Sequence, residues 1–330
     1  MKCILARARG IELQLDLLSS GYSIQDRHQL DNQREDVVAP EFALIDRQFS
    51  LNRGKNVFFN GNGAKLELDE SFHTFLEGIH TIPGDLLEAL LDYAVNQAVI
   101  ELSKLNQYYN FSSADKIALR GIYSDFVIAV KKREQSIREI HANHAVVFRS
   151  WLYKANPFSL VQYRSEGEVL EPVSCFEYDA ELQTAIFKMD LATLTNPVLD
   201  IGCGEHAGLV EYLRSKGFDC FGLDRFDSAL PNIANENWLE YDYGKGKWGT
   251  IVSNLGFSNH FVHHHIREDG NFIDYAKTYM RILNSLTKGG TFFYAPHLPF
   301  IEELLDQTTY HTETHVIHNV HSAAKVTRIR

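Results

Sequence analysis

The sequence predicts an α/β fold: a doubly wound, seven-stranded, mostly parallel sheet in the C-terminal half, preceded by a mainly helical N-terminal domain. Three observations carry this reading. Apolar residues from Leu86 to Leu105 recur at three- and four-residue spacing, the period of a helix with one buried face. Beyond Ala180, short β-prone runs alternate with helix-period segments, the pattern of parallel strands covered by helices. Between them, Pro197-Val198-Leu199-Asp200-Ile201 runs directly into Gly202-Cys203-Gly204-Glu205, a buried-strand run that ends in a glycine turn.

Each element follows from local chemistry. Residues 11–18 alternate like a strand, a run too short to separate strand from helix, and 25–36 is polar and reads as loop. Val57-Phe58-Phe59 and Lys65-Leu66-Glu67-Leu68 flank Asn60-Gly61-Asn62-Gly63, which predicts a β-hairpin because Asn and Gly accept positive φ. Pro83 and Asp85 sit where a helix start favours a fixed φ and a negative charge. A second helix begins at Ser112-Ser113, presents Ile117, Tyr123, Phe126, Val127 and Val130, and is expected to run past Lys131-Lys132-Arg133 to about His144. Those three cations read as a solvated helix face. Residues 1–150 thus form the helical domain with its hairpin. Residues 151–175, rich in aromatics and broken by Asn156-Pro157 and Glu171-Pro172, form a connector or lid. From 176 to 330 the expected strands are 198–201, 219–224, 238–242, 250–255, 290–295, 313–320 and 323–329. Helices are expected over 180–191, 206–216, 271–286 and 299–306.

Composition narrows the class. With 45% apolar and 23% charged residues, the chain has the balance of a soluble globular protein. No stretch approaches the roughly 20 apolar residues of a membrane span. Arg7 and Arg9 interrupt the short apolar patch at the start, so it lacks a signal-peptide core. A net charge of −11 argues against a broad nucleic-acid surface. Cys3, Cys175, Cys203 and Cys220 show no CxxC spacing, which favours a reduced, cytoplasmic protein over a disulfide framework.

The glycine turn carries the functional signal. Glycines between a strand and a helix let a nucleotide approach the backbone at the helix N-terminus. Asp200 precedes the first glycine, Asp224 ends the next expected strand, and Asp242 ends the third. In this order they resemble the class I S-adenosylmethionine-dependent methyltransferases, over roughly residues 175–330, including the Lys288-Gly289-Gly290 turn and the final β-rich pair. The resemblance implies a Rossmann-like methyltransferase domain with S-adenosylmethionine as cofactor. Gly202 and Gly204 would leave room for it, Asp224 would accept from its ribose hydroxyls, and Asp242 with Tyr243 would meet the adenine. Asp200 would lie near its ammonium, and Asn254 and Leu255 would end the fourth strand beside the methyl group. Cys203 and Arg225, adjacent to these anchors, complete the cofactor-contacting set, with Cys203 as a small filler rather than a nucleophile. The third glycine of many such turns is replaced by His206.

Ser253 to His265 follows the fourth strand at the mouth of the expected pocket, so a base or acceptor contact would sit there. His260 and His264 share a helix face and are the catalytic candidates, against a plain surface cluster or a metal pair. A metal would need a third ligand, such as Asp269 or His297, which spacing does not supply. His311, His315, His318 and His321 split between two strand faces and read as structural. Trp151, Tyr153, Phe158, Tyr163, Phe176 and Tyr178 either wall an acceptor site or pack the two halves together. No Asn-Pro-Pro-Tyr run of the DNA amino-methylating kind is present. Together with the acidic balance, this favours a small-molecule acceptor. An NAD(P)-dependent oxidoreductase using the same turn, and a non-catalytic cofactor-binding or interaction protein, are the rival readings.

Overall fold

The computed structural model describes residues 40–173, 177–226, 228, 230–318 and 321–330. The readings of 1–9, 11–18 and 25–36, of Cys3, Cys175 and Phe176, and of the His318 and His321 side chains lie outside the described residues. The chain divides into two units, Met1–Ala43 and Leu44–Arg330. In the first, only the start of one helix is described; the second holds all the remaining described elements.

Helices come first: α1 (Pro40–Leu51), α2 (Glu70–Glu77), α3 (Gly84–Leu105), α4 (Ser113–Lys132), α5 (Ile137–Ala155) and α6 (Phe158–Tyr163). The expected helix from Ser112 does not reach His144. It stops at Arg133, which takes the left-handed conformation (φ 57), and α5 starts anew. The cause is a pair of capping boxes. Ser112 accepts from the Asp115 amide while Asp115 accepts from the Ser112 amide, and Ser136 with Glu139 repeats this arrangement at α5.

The expected hairpin at 57–68 is absent; a short 3-10 turn at Phe59–Gly61 stands there instead. Asn60, Gly61 and Gly63 do adopt positive φ, but their backbone bonds close locally. The Ala64 amide donates to the Asn56 carbonyl at 2.7 Å and the Gly63 amide to Phe59 at 2.8 Å. Buried Asn56 anchors the loop, its amide donating to the Tyr163 and Gly167 carbonyls at 2.8 and 2.9 Å. With these partners supplied, no cross-strand ladder is needed.

The stretch read as a connector from Trp151 contributes several of its aromatics to the core. Trp151 lies in α5, stacks on Phe111 at 5.1 Å and donates through Nε1 to the Asp115 carbonyl at 3.0 Å. Trp151, Phe158 and Tyr163 join Phe58, Tyr109 and Leu119 in one buried cluster. Tyr153 points outward, 44% exposed. Aromatic density here marks a packed interior, where large rings bury the most area.

After α7 (Ala180–Ile186) the sheet begins: β1 (Val198–Ile201), α8 (Gly208–Ser215), β2 (Cys220–Asp224), β3 (Ile233–Asn235), β4 (Trp248–Asn254), α9 (Phe257–His265), α10 (Phe272–Ser285), β5 (Leu286–Ala295), α11 (Pro299–Glu302), β6 (Tyr310–His318) and β7 (His321–Arg328). The strand order is β3-β2-β1-β4-β5-β7-β6. β1 to β5 pair in parallel, and β7 runs antiparallel between β5 and β6. β1 and β4 are buried at every residue, as central strands covered on both faces must be.

One strand lies elsewhere than expected. β3 is Ile233–Asn235, whose partners are Gly222 to Asp224, and Trp238 to Asp242 is not a strand. Its aromatic alternation imitates a strand, but the Glu240 and Tyr241 amides both return to the Asn237 carbonyl. The Tyr243 hydroxyl then donates to the Trp238 carbonyl at 2.9 Å, so the segment folds on itself. Among the described residues no helix is long and apolar enough to cross a membrane.

Candidate active site

The carboxyl ends of β1, β2 and β4 meet above the sheet, where open α/β folds bind ligands. Gly202 and Gly204 take φ of 79° and 80°, conformations that side-chain-bearing residues adopt at a cost. The Gly202 amide donates to the Leu223 carbonyl at 2.8 Å, tying the turn to β2. Cys203 is buried against Gly222, where any Cβ would come within 2.7 Å of its sulfur. Burial, with Asp200 and Asp224 nearby, pushes its thiol well up, so it packs as a neutral filler. In the place of a third glycine, His206 is exposed and Ala207 takes the left-handed conformation (φ 48) just before α8.

Asp224 ends β2, accepting from the Gly204 amide at 2.8 Å and the Phe226 amide at 3.2 Å. Its neighbour Arg225 reaches across to the helical half and donates to the Gln107 and Tyr109 carbonyls at 3.0 and 2.7 Å. Asp200, fully enclosed on β1, is raised to about 8 by burial and by the Asp224 charge. At neutral pH it is mainly protonated. Opposite the turn, the Glu177 carboxylate accepts from the Glu205 amide at 2.6 Å and the His206 amide at 3.3 Å. An added Cβ on Gly204 would lie 2.6 Å from that carboxylate, so the glycine makes room for it.

On the far side β4 delivers Asn254. It is 8% exposed, and neither atom of its side-chain amide has a hydrogen-bond partner. Buried amides are normally satisfied, so this one marks a place where a polar ligand group fits. Leu255 follows with φ 53, a strained conformation held by the hydrogen bond its amide donates to the Ala295 carbonyl at 2.9 Å. These residues line a cleft of about 110 Å³ with Gln107, Glu177, Tyr178 and Trp238. That is smaller than the roughly 300–1,000 Å³ of sites that hold drug-sized ligands. The Glu177 carboxylate on the turn is part of what narrows it.

Of the residues expected at the cofactor, Gly202, Cys203, Gly204, Asp224, Arg225, Asn254 and Leu255 line this cleft, and Asp200 lies beneath it. Asp242 and Tyr243 do not line it. Asp242 is exposed and accepts from the Gly244 amide at 3.0 Å, while Tyr243 is buried beneath Trp248, whose Nε1 donates to its carbonyl. The displaced third strand explains this: its carboxyl end brings Trp238 to the cleft. Glu177, Gln107 and Trp238 also line the cleft, where the sequence reading did not place them, and Tyr178, read as a possible acceptor wall, lines it too. Trp238 carried a signal as the aromatic that opens the run read as the third strand.

The histidines separate. His260 lines the cleft, 2% exposed, edge-on to Trp238 at 4.7 Å. Its Nδ1 lies 3.4 Å from the Tyr275 hydroxyl. Burial first, then the Arg225 charge, holds it well below the ordinary histidine range and therefore neutral. His264 does not line the cleft. It stacks on Tyr275 at 4.6 Å, accepts from the Asn271 amide at 3.1 Å, and burial lowers it to about 4. His263 stacks on Tyr108 and His265 on Phe300. Among the described residues no group of His, Cys, Asp and Glu is arranged to hold a metal.

The fold is therefore that of a class I S-adenosylmethionine-dependent methyltransferase: a doubly wound sheet in the order 3-2-1-4-5-7-6 with an antiparallel β7, carrying a glycine turn after β1 and an acid at the end of β2. A dinucleotide fold orders its strands 3-2-1-4-5-6 without that inserted antiparallel strand.

Structural likenesses to methyltransferases cover about half of the chain. One is the Burkholderia thailandensis 1,6-didemethyltoxoflavin-N1-methyltransferase with bound 1,6-didemethyltoxoflavin and S-adenosylhomocysteine, at 16% identity and a TM-score of 0.33, covering 46% of this chain and 78% of that one. Another is a Haemonchus contortus phosphoethanolamine N-methyltransferase, at 18% identity and 0.28, covering 41% of this chain and 38% of that one. A third is an rRNA methylase from Streptococcus thermophilus, at 10% identity and 0.32, covering 48% and 100% respectively. No protein-family model matches the sequence, nor does any curated protein.

Proposed function

We propose that the protein transfers a methyl group from S-adenosylmethionine to a small-molecule acceptor. The observation that carries this reading is the convergence on one cleft of a positive-φ glycine turn, Asp224 at the end of β2, and the unpartnered Asn254 amide at the end of β4. The cofactor would supply an activated sulfonium, so the protein's task is orientation and exclusion of water. Gly202 and Gly204 would admit its chain, and Asp224 would exchange its Gly204 amide bond for ribose hydroxyls. Trp238 would take the position at the end of β3 assigned from sequence to Asp242 and Tyr243. Glu177 and Asp200 would face the ammonium. Glu177 must leave the Glu205 and His206 amides for the cleft to widen.

At the acceptor end, Asn254 would orient the nucleophile through its free amide, and neutral His260 would contact it. His264 would act through its stack on Tyr275 as a positioning residue. Gln107, from the helical half, would close the acceptor side. The buried, unpaired thiols of Cys203 and Cys220 suit a reducing, cytoplasmic setting.

Calorimetric titration tests the reading. Saturable binding of S-adenosylmethionine with none of NAD or NADP is expected, and the reverse result refutes it. Asp224→Ala should weaken that binding by about tenfold with the fold intact, the usual effect of losing charge-assisted hydrogen bonds. Tight cofactor binding with no methyl transfer across a broad panel of labelled acceptor reactions would favour a non-catalytic binding protein.

A further inference from the structure

A second cavity lies in the helical half and shares no residue with the cleft. It has a volume of about 210 Å³, lies among α1, α2, α3, α4 and α5, and is open to solvent on one side. Its wall is apolar, built from such residues as Phe49, Leu90, Ala94, Phe126, Val127 and Phe148. It separates two core clusters of the bundle, one around Trp151 and one around Leu76 and Ile79. Helical cores are packed to crystal density, with few voids larger than a water molecule. An apolar pocket of this size interrupts that packing.

The chemistry of the wall selects its occupant. The bordering cations, exposed Arg53 and half-buried Lys55, are already paired: Arg53 with Glu101 at 2.8 Å, and Lys55 with Glu67 at 3.4 Å. His144 enters the wall as an aromatic ring, packed at 4.9 Å from Phe126 and 5.3 Å from Tyr123. Burial lowers it to about 4, and His141 beside it is lowered for the same reason, so both imidazoles are neutral at neutral pH. The charges on the wall, Arg53, Lys55 and Glu101, are all held in ion pairs, so none is free to compensate an ionic ligand, and desolvating one there is costly.

We infer that this cavity is a binding site for an uncharged, apolar small molecule, a single aromatic ring system or a short hydrocarbon chain, distinct from the methyl-transfer cleft. The inference stands on the helical half alone and does not depend on the methyltransferase reading.

The test uses the full-length protein and the neutral fluorophore N-phenyl-1-naphthylamine. Saturable binding at one site per chain is expected, competed by decanol but not by decanoate, and indifferent to saturating S-adenosylhomocysteine. Ala94→Phe and, separately, Leu87→Trp fill the space and should each weaken binding by about tenfold or more. Absence of saturable binding, displacement by S-adenosylhomocysteine, or preference for decanoate over decanol overturns the inference. So does undiminished binding in filled variants that melt as the wild type does. The competition arms need no variant and decide the matter on the wild-type chain.

Discussion

Asp200 and Asp224 are two carboxyls at the ends of neighbouring parallel strands, and their proximity sets the charge of the cleft. Asp200 is raised from 3.8 to about 8 by burial first and by Asp224 second. Between those values the folded protein holds a proton that the unfolded chain has released, so stability falls as pH rises from about 4 to about 8 and this contribution then levels off. Asp200→Asn removes the titration. The wild type should therefore lose melting temperature relative to that variant between about pH 5 and pH 8. An Asp200 already ionised in the folded state would give no such relative loss over this range. The same site predicts that a sulfonium ligand expels the proton at pH 7, read as a dependence of binding heat on the ionisation enthalpy of the buffer.

At the scale of elements, the helix boundaries are decided by small polar residues rather than by the apolar period. Arg133 interrupts an otherwise continuous helical pattern because Ser136 and Glu139 cap a new start three residues on. Ser136→Ala should lower the melting temperature by about 2–4 °C, the ordinary cost of an N-cap spread over a unit of this size. An unchanged melt would mean that α5 is held by packing alone. Legibility follows the same division. β1, β2, β4 and the glycine turn were readable because central parallel strands are continuous apolar runs and the turn demands glycine. The third strand was not, because Ile233–Asn235 is short and lies at the sheet edge while Trp238 to Asp242 alternates more convincingly. The Asn60 to Gly63 run carried a true signal for positive φ. Whether such a turn joins strands depended on Asn56 finding partners at Tyr163 and Gly167, over a hundred residues away.

Across the second unit, the loop between α3 and α4 fastens the helical half to the cleft. The Asn237 amide donates to the Asn110 side-chain oxygen at 2.6 Å, the Asn110 amide to the Tyr275 hydroxyl at 3.3 Å, and Tyr275 lies against His260. Ser113 adds a hydrogen bond from its hydroxyl to Glu240 at 2.7 Å, and Arg225 holds the Gln107 and Tyr109 carbonyls. Asn110→Ala should therefore increase amide hydrogen exchange in residues 106–111 while leaving that of β1 unchanged. Equal protection in the variant would show that the aromatic stack of Tyr108 on His263 suffices to hold the loop.

The amino-acid sequence by itself determined the α/β class, the central strands, the glycine turn and the acid at the end of β2. Each of these is written in a few consecutive residues, where periodicity and backbone conformational demands act locally. Only the tertiary structure decided that Asp242 stays outside the cleft, that Glu177 and Gln107 enter it, that His260 and His264 part company, and that the helical half holds an apolar pocket. Those outcomes depend on which distant surfaces become neighbours when the core packs, and no local pattern of residues records that.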